Sequence, residues 1–176
     1  SDVASITAQS IVVNALKYDV YNIGQIEIVN GVIDYASKQG DMSVALKGDM
    51  IRMSGFSYGN YTLEELEVSA GLVGFTGSTA NGLLHVKAQS LCLTRFLIPD
   101  ADMAISGTMN EVDVDIGMLE DTDAKTGKTI STYSIGAHKP TEEEQAEQGE
   151  GKQRAERNAP MAKDIQLSLS GIEHPE

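Results

Sequence analysis

Apolar and polar residues alternate in short runs along most of the chain. Met42, Val44 and Leu46 are spaced by Ser43 and Ala45, and Ile26 and Ile28 flank Glu27. A period of two sends every second side chain to the same side of an extended backbone, so these runs predict β-strands with one buried face. The alternation returns at Val112, Val114, Ile116 and Met118, and again at Ile165, Leu167 and Leu169. Turn signals stand between the runs at Asn30-Gly31, Gln39-Gly40-Asp41, Gly59-Asn60 and Asn81-Gly82, where Asn and Gly accept the positive φ of hairpin turns.

The runs also repeat. A gapless shift of forty residues pairs Ile11 with Ile51, Tyr18 with Tyr58, Tyr21 with Tyr61, Ile26 with Leu66, Ile28 with Val68, Gly31 with Gly71 and Tyr35 with Phe75. A third copy starts in the same register at Val86, Leu91 and Phe96 and is interrupted at Pro99. Each unit is expected to hold three or four short strands. The fold class is therefore all-β, with repeated short antiparallel strands or hairpins in an elongated sheet, a sandwich or a solenoid-like stack. Its expected apolar face is Ile11, Ile26, Ile28, Ile51, Leu66 and Val68; alternation alone does not separate a closed core from a ligand groove.

Thr62 to Val68 reads locally as a helix, with a capping box from Thr62 to Glu65. Its repeat partner, Asn22 to Ile28, contains a Gly and three isoleucines and makes a poor helix, so both are assigned to strands. Lys139 to Asn158 has no large aliphatic or aromatic residue and has nothing to give a core. The expected organisation is a repeat-built β domain over 1–138, a charged loop or isolated solvated helix over 139–160, and a final strand returning to the sheet over 161–176.

Composition narrows the function classes. Aromatics are 5% of the 176 residues and Trp is absent, so the core must be aliphatic. Thirteen basic against 26 acidic residues leave a net charge of -13, which repels nucleic acid and anionic membrane surfaces. No run approaches the roughly 20 apolar residues of a transmembrane helix. The first residues lack both Met and a signal-peptide pattern, as a processed or excised chain would. Cys92, the single cysteine, excludes an intrachain disulfide and, between Leu91 and Leu93, is expected in the core.

The chemical motifs are weak. Gly55-Phe-Ser57-Tyr-Gly59 copies a nucleophile elbow, and Asp100 and His138 complete a formal triad order, but a strand-like segment follows where a helix is required. Gly127-Lys128-Thr129 ends like a phosphate loop, yet Thr122 replaces its first Gly, and Asp121 and Asp123 oppose phosphate. Asp113, Asp115, Asp121 and Asp123 are candidates for weak calcium binding, without the EF-hand order. His85, His138 and His174 have no zinc-type spacing, so a zinc site would have to be assembled by the fold. Asn60-Tyr61-Thr62 is a formal glycosylation sequon. No catalytic or cofactor-binding residue is assigned.

The text Ile6-Thr-Ala-Gln-Ser-Ile-Val-Val-Asn14, followed by Leu16-Lys-Tyr18 and Ile23-Gly-Gln-Ile-Glu-Ile28, resembles the repetitive strands of AsmA-like proteins of the bacterial envelope, over roughly Ser5 to Ser90. The resemblance implies an elongated, curved sheet whose apolar concave face carries lipid acyl chains, in a periplasmic or extracellular setting. The leading expectation is a non-catalytic structural or interaction module of a cell envelope or surface. It would act through sheet faces or edges on other protein chains or copies of itself. A lipid-binding or apolar-ligand-binding protein and an unrecognised hydrolase are the alternatives.

Overall fold

A computed structural model describes residues 2–18, 21–78, 80–140, 144–146 and 161–171. Eight antiparallel strands form a single open sheet: β1 (Asp2–Tyr18), β2 (Tyr21–Lys38), β3 (Asp41–Tyr58), β4 (Tyr61–Gly77), β5 (Asn81–Ile98), β6 (Met103–Thr122), β7 (Thr129–Ala137) and β8 (Lys163–Gly171). The first seven lie side by side in chain order. The outer edge of β6 is shared, with β7 along Val114 to Thr122 and β8 along Met103 to Asn110. The chain is thus all-β, and β8 pairs with β6. Of the charged insertion, residues 141–143 and 147–160 lie outside the described residues, and 144–146 are helical.

Each forty-residue unit is one pair of long strands, not three or four short ones. β1, β3 and β5 are equivalent, as are β2, β4 and β6, and their lengths run from 17 to 20 residues. Asn30-Gly31, which reads as a turn, lies inside β2. Asn30 has φ 49°, and single left-handed residues recur at Ala70 (φ 49°), Glu111 (φ 48°) and Asp164 (φ 51°) in alternate strands and in β8. A second row consists of Ala15 (φ 55°), Gly55 (φ 67°) and Arg95 (φ 55°). The repeat is therefore written in the backbone as well as in the side chains. Asn suits a left-handed site in a turn and in a kinked strand alike, which is why the signal was ambiguous.

Each kink reverses the phase of alternation. Ile26 and Ile28 share the core with Ile33, five residues on, and Leu66 and Val68 share it with Val73. Neighbouring strands change phase along the same line, so the pairing of β1 with β2 runs without slip from Asp2↔Ser37 to Tyr18↔Tyr21. Two cross-strand rows result, Ile11–Ile28–Ile51–Val68–Leu91–Met109 and Ile33–Leu46–Val73–Val86–Val114. Ile28, Val68 and Ile51 are 0%, 1% and 4% exposed.

Among the described residues no second layer covers that face; the sheet covers it by curling. Tyr21 begins β2 at one corner of the sheet, and its hydroxyl is raised above its ordinary pKa by burial, then by Tyr133 of β7, by Tyr58, and by Glu120 of β6. Tyr133 and Glu120 belong to the diagonally opposite corner, so the bent strands roll one corner toward the other. Twist accumulated over long strands, with corners made at irregular residues, produces such closure.

Cys92 is a correction. It is exposed, because alternation commits Leu91 and Leu93 to the core side and turns Cys92 to the opposite face, between Glu67 and Thr108. The kink residues give a first prediction. Ala70 occupies a conformation that costs an L-residue about 1–2 kcal/mol and glycine almost nothing. Ala70→Gly should stabilise the protein by about 0.5–1 kcal/mol after glycine's extra unfolded-state entropy is subtracted, read as a higher urea midpoint at unchanged slope.

Candidate functional site

Val112 and Val114 are 3% and 8% exposed in the core, so Asp113 and Asp115 between and beyond them project from the other face of β6. His85 of β5 lies directly across from Asp115. Beyond the end of β7, the His138 N–H donates to the Asp113 carbonyl at 3.1 Å and carries the pairing one step further. These strand positions bring together two imidazoles that are far apart in sequence. Their rings stack with centroids 3.6 Å apart and planes 9° from parallel.

Carboxylates surround the pair. His85 Nε2 is 2.7 Å from Asp113 Oδ1, His138 Nδ1 is 2.7 Å from Asp115 Oδ1, and His138 Nε2 is 2.9 Å from Glu144 Oε2. The Lys139 N–H donates to Asp115 Oδ2 at 3.0 Å. The side chains of His138, Asp115 and His85 are 9%, 13% and 16% exposed, so the group is largely withdrawn from water. Burial works against charge on His138, but the hydrogen bonds and charges of Asp115 and Glu144 outweigh it and hold the imidazolium above its ordinary pKa. Three carboxylates against two imidazoles make this a place that favours a cation.

The proposed calcium ligands separate into two places. Asp113 and Asp115 belong to the histidine cluster. Asp121 pairs with Ile130, and Asp123 closes the β6–β7 hairpin, accepting the Lys125 N–H on its side chain and the Gly127 N–H on its carbonyl, both at 2.8 Å. Six residues of extended chain between Asp115 and Asp121 span roughly 20 Å. The same hairpin holds Gly127-Lys128-Thr129. Gly55 to Gly59 runs along the end of β3 into a turn, with Ser57 paired to Asn22 and Thr62 and no helix after it. Asp100 contacts Tyr61 at that end of the sheet. His138 instead bonds Asp115 and Glu144, and among the described residues no hydrogen bond joins it to Ser57 or Asp100. The formal triad is not assembled. His174 lies outside the described residues.

The six residues of the expected apolar face all take part in the core, Ile28, Ile51 and Val68 buried and Ile11, Ile26 and Leu66 packed against them. On the opposite face, Arg52 ties three strands together through Glu65 (2.8 Å), Glu67 (3.3 Å) and Glu27 (3.6 Å). Apolar side chains are left in the open at the sheet's margins. All nine residues of β8 are exposed, with Ile165, Leu167 and Leu169 at 55%, 58% and 59%. Ile6 in β1 is 55% exposed.

The fold and its margins define a repeat-built, open antiparallel β-sheet protein. Set beside known proteins, the chain matches no family model, no curated protein and no solved structure. Among the described residues no helix is long and apolar enough to cross a membrane.

Proposed function

We propose that this protein is a non-catalytic structural or interaction module that assembles with copies of itself through the free edge of β8. The observation that supports this reading is the fully exposed β8 and its row of three large aliphatic side chains. An edge strand offers unpaired N–H and C=O groups, and natural proteins usually protect such edges with charge, proline or a covering element. In β8 the middle of the strand, from Ile165 to Ser170, has neither charge nor proline, and no described residue covers its outer edge. The row is also self-complementary. A two-fold axis at Leu167 would set Leu167 against its own copy and Ile165 against Leu169, an isologous contact that continues the sheet from one molecule into the next. The envelope or surface setting is part of the same proposal and rests on the AsmA-like strand text.

Charge makes the test specific. Two chains of net charge -13 repel each other, and screening shortens the range of that repulsion from about 10 Å at 0.1 M salt to about 3 Å at 1 M. Sedimentation velocity should show a dimer that grows with protein concentration and is strengthened by salt. Leu167→Lys, placed at the centre of the row, should leave a monomer with unchanged circular dichroism. A wild-type chain that stays monomeric at high concentration and high salt would remove the proposal.

A further inference from the structure

The geometry points to a transition-metal site, filled by Zn²⁺ or an ion of like chemistry, formed by His85, Asp115 and His138. Each contributes one donor atom, and the three donors lie within 4.8 Å of one another. Zinc holds imidazole nitrogen and carboxylate oxygen at about 2.0–2.2 Å. Small side-chain rotations would therefore bring the three donors into one coordination sphere. Two nitrogens and one oxygen suit zinc and its neighbours in the transition series, whereas calcium and magnesium take all-oxygen sets.

The surroundings assign the coordinating nitrogens. Asp113 holds His85 at Nε2, and Glu144 holds His138 at Nε2. A histidine that donates one ring N–H to a carboxylate presents the lone pair of the other nitrogen, the arrangement that orients and strengthens metal-bound imidazoles. Both rings would then ligate through Nδ1. At His138 the ion would replace the proton now shared between Nδ1 and Asp115 over 2.7 Å. The stacked rings must turn to converge, and space exists for this. Gly74 is across from His85 and Gly136 is across from Asp115; a methyl group built on Gly74 would meet only the Val44 carbonyl oxygen, at 3.9 Å, and one on Gly136 would meet nothing within 4 Å.

Two of the donors stand on paired strands, and the third is fixed by the backbone bond from His138 to Asp113. An ion here would therefore pin the chain leaving β7 to the face of β5 and β6. Three protein ligands leave a fourth position for water.

The test uses the full chain, freed of metal with a chelator, and ZnCl₂ in isothermal titration. One equivalent of Zn²⁺ should bind, millimolar Ca²⁺ should not displace it, and Co²⁺ in its place should give the intense visible absorption of a tetrahedral site. At a hundredfold excess over Kd the unfolding midpoint should rise by roughly 5–10 °C. His85→Ala and His138→Gln should each abolish the one-equivalent isotherm. Asp113→Asn, which leaves all three ligands in place, should weaken it about 10–100-fold. Circular dichroism of each metal-free variant confirms that it is folded. Absence of binding, binding that survives His85→Ala in a folded protein, or binding lost in His174→Ala would each overturn the assignment.

Discussion

Deleting Asn30 should abolish cooperative folding, while Asn30→Gly should change stability by only about a few tenths of a kcal/mol. The expectation follows from the phase of β2. Ile28 and Ile33 are five residues apart, an odd separation that puts them on opposite faces of a regular strand. They share the core because Asn30, at φ 49°, adds a half-step between them. Without it the two isoleucines are four apart and stay on one face, but β2 is one residue short against neighbours that keep their own kinks, so Ile33 meets Lys47 and Thr7 in place of Leu46 and Ile6. A one-residue slip of this kind sets inward side chains against outward ones along the rest of the ladder. The loss should exceed the roughly 4–5 kcal/mol that bounds most point substitutions. Urea unfolding followed by circular dichroism would show a broad, early transition or none. Glycine at the same position keeps the conformation and gives up only the exposed hydrogen bond from Asn30 to Asp49. If the deletion unfolded like the glycine variant, the extra residue would have no role in holding β2 in register with its neighbours.

This dependence on phase also explains which parts of the fold could be read from the chain. Strand text was legible wherever alternation ran unbroken, as at Val112 to Met118 and Ile165 to Leu169, and the forty-residue echo correctly placed Thr62 to Val68 in a strand against its helical propensity. Equivalence holds at the level of neighbours as well, since Ile26 lies between Val13 and Met53 and Leu66 between Met53 and Leu93, the positions forty residues on. Strand length was not legible. Asn30-Gly31 has the composition of a turn, and its structural equivalents at Ala70 and Glu111 have no residue type that announces a left-handed backbone. Only the odd spacing of apolar positions, 28 to 33 and 68 to 73, carries that information.

The histidine cluster was hidden for a different reason. His85 meets Asp115 through strand pairing, and His138 arrives through the β6–β7 hairpin, so no local spacing connects them. Asp113 and Asp115, two apart on one strand, are the visible fragment, and they suggest calcium because the carboxylates of the following hairpin stand close to them in the sequence. The face of Cys92 is legible in the alternation of Leu91 and Leu93, which outweighs its apolar context. The free edge of β8 depends on β7 and β8 sharing the length of β6, which follows from strand lengths that the sequence did not disclose.

Ile28→Ala and Gly31→Ala should be far less than additive. Ile28 is completely buried, and removing its side chain beyond Cβ should cost about 2–5 kcal/mol through lost transfer energy and a residual cavity. Gly31 is small because Ile28 needs its space: a methyl on Gly31 would overlap Ile28 Cγ2, and one on Gly48 would come within 2.7 Å of the same atom. Overpacking of this kind costs about 1–3 kcal/mol. In the double variant the new methyl occupies part of the volume that Ile28 vacates, so the coupling energy should favour the pair by on the order of 1–2 kcal/mol. The repeat supplies an internal replicate. Val68 is 1% exposed, and a methyl on Gly71 would overlap its Cγ1, so a Val68→Ala and Gly71→Ala cycle should give coupling of the same sign. Both cycles are read from urea midpoints at constant slope. Additive costs at either site would mean that the kinked strands relax around the added methyl. The two glycines would then not be there for the room they leave to Ile28 and Val68.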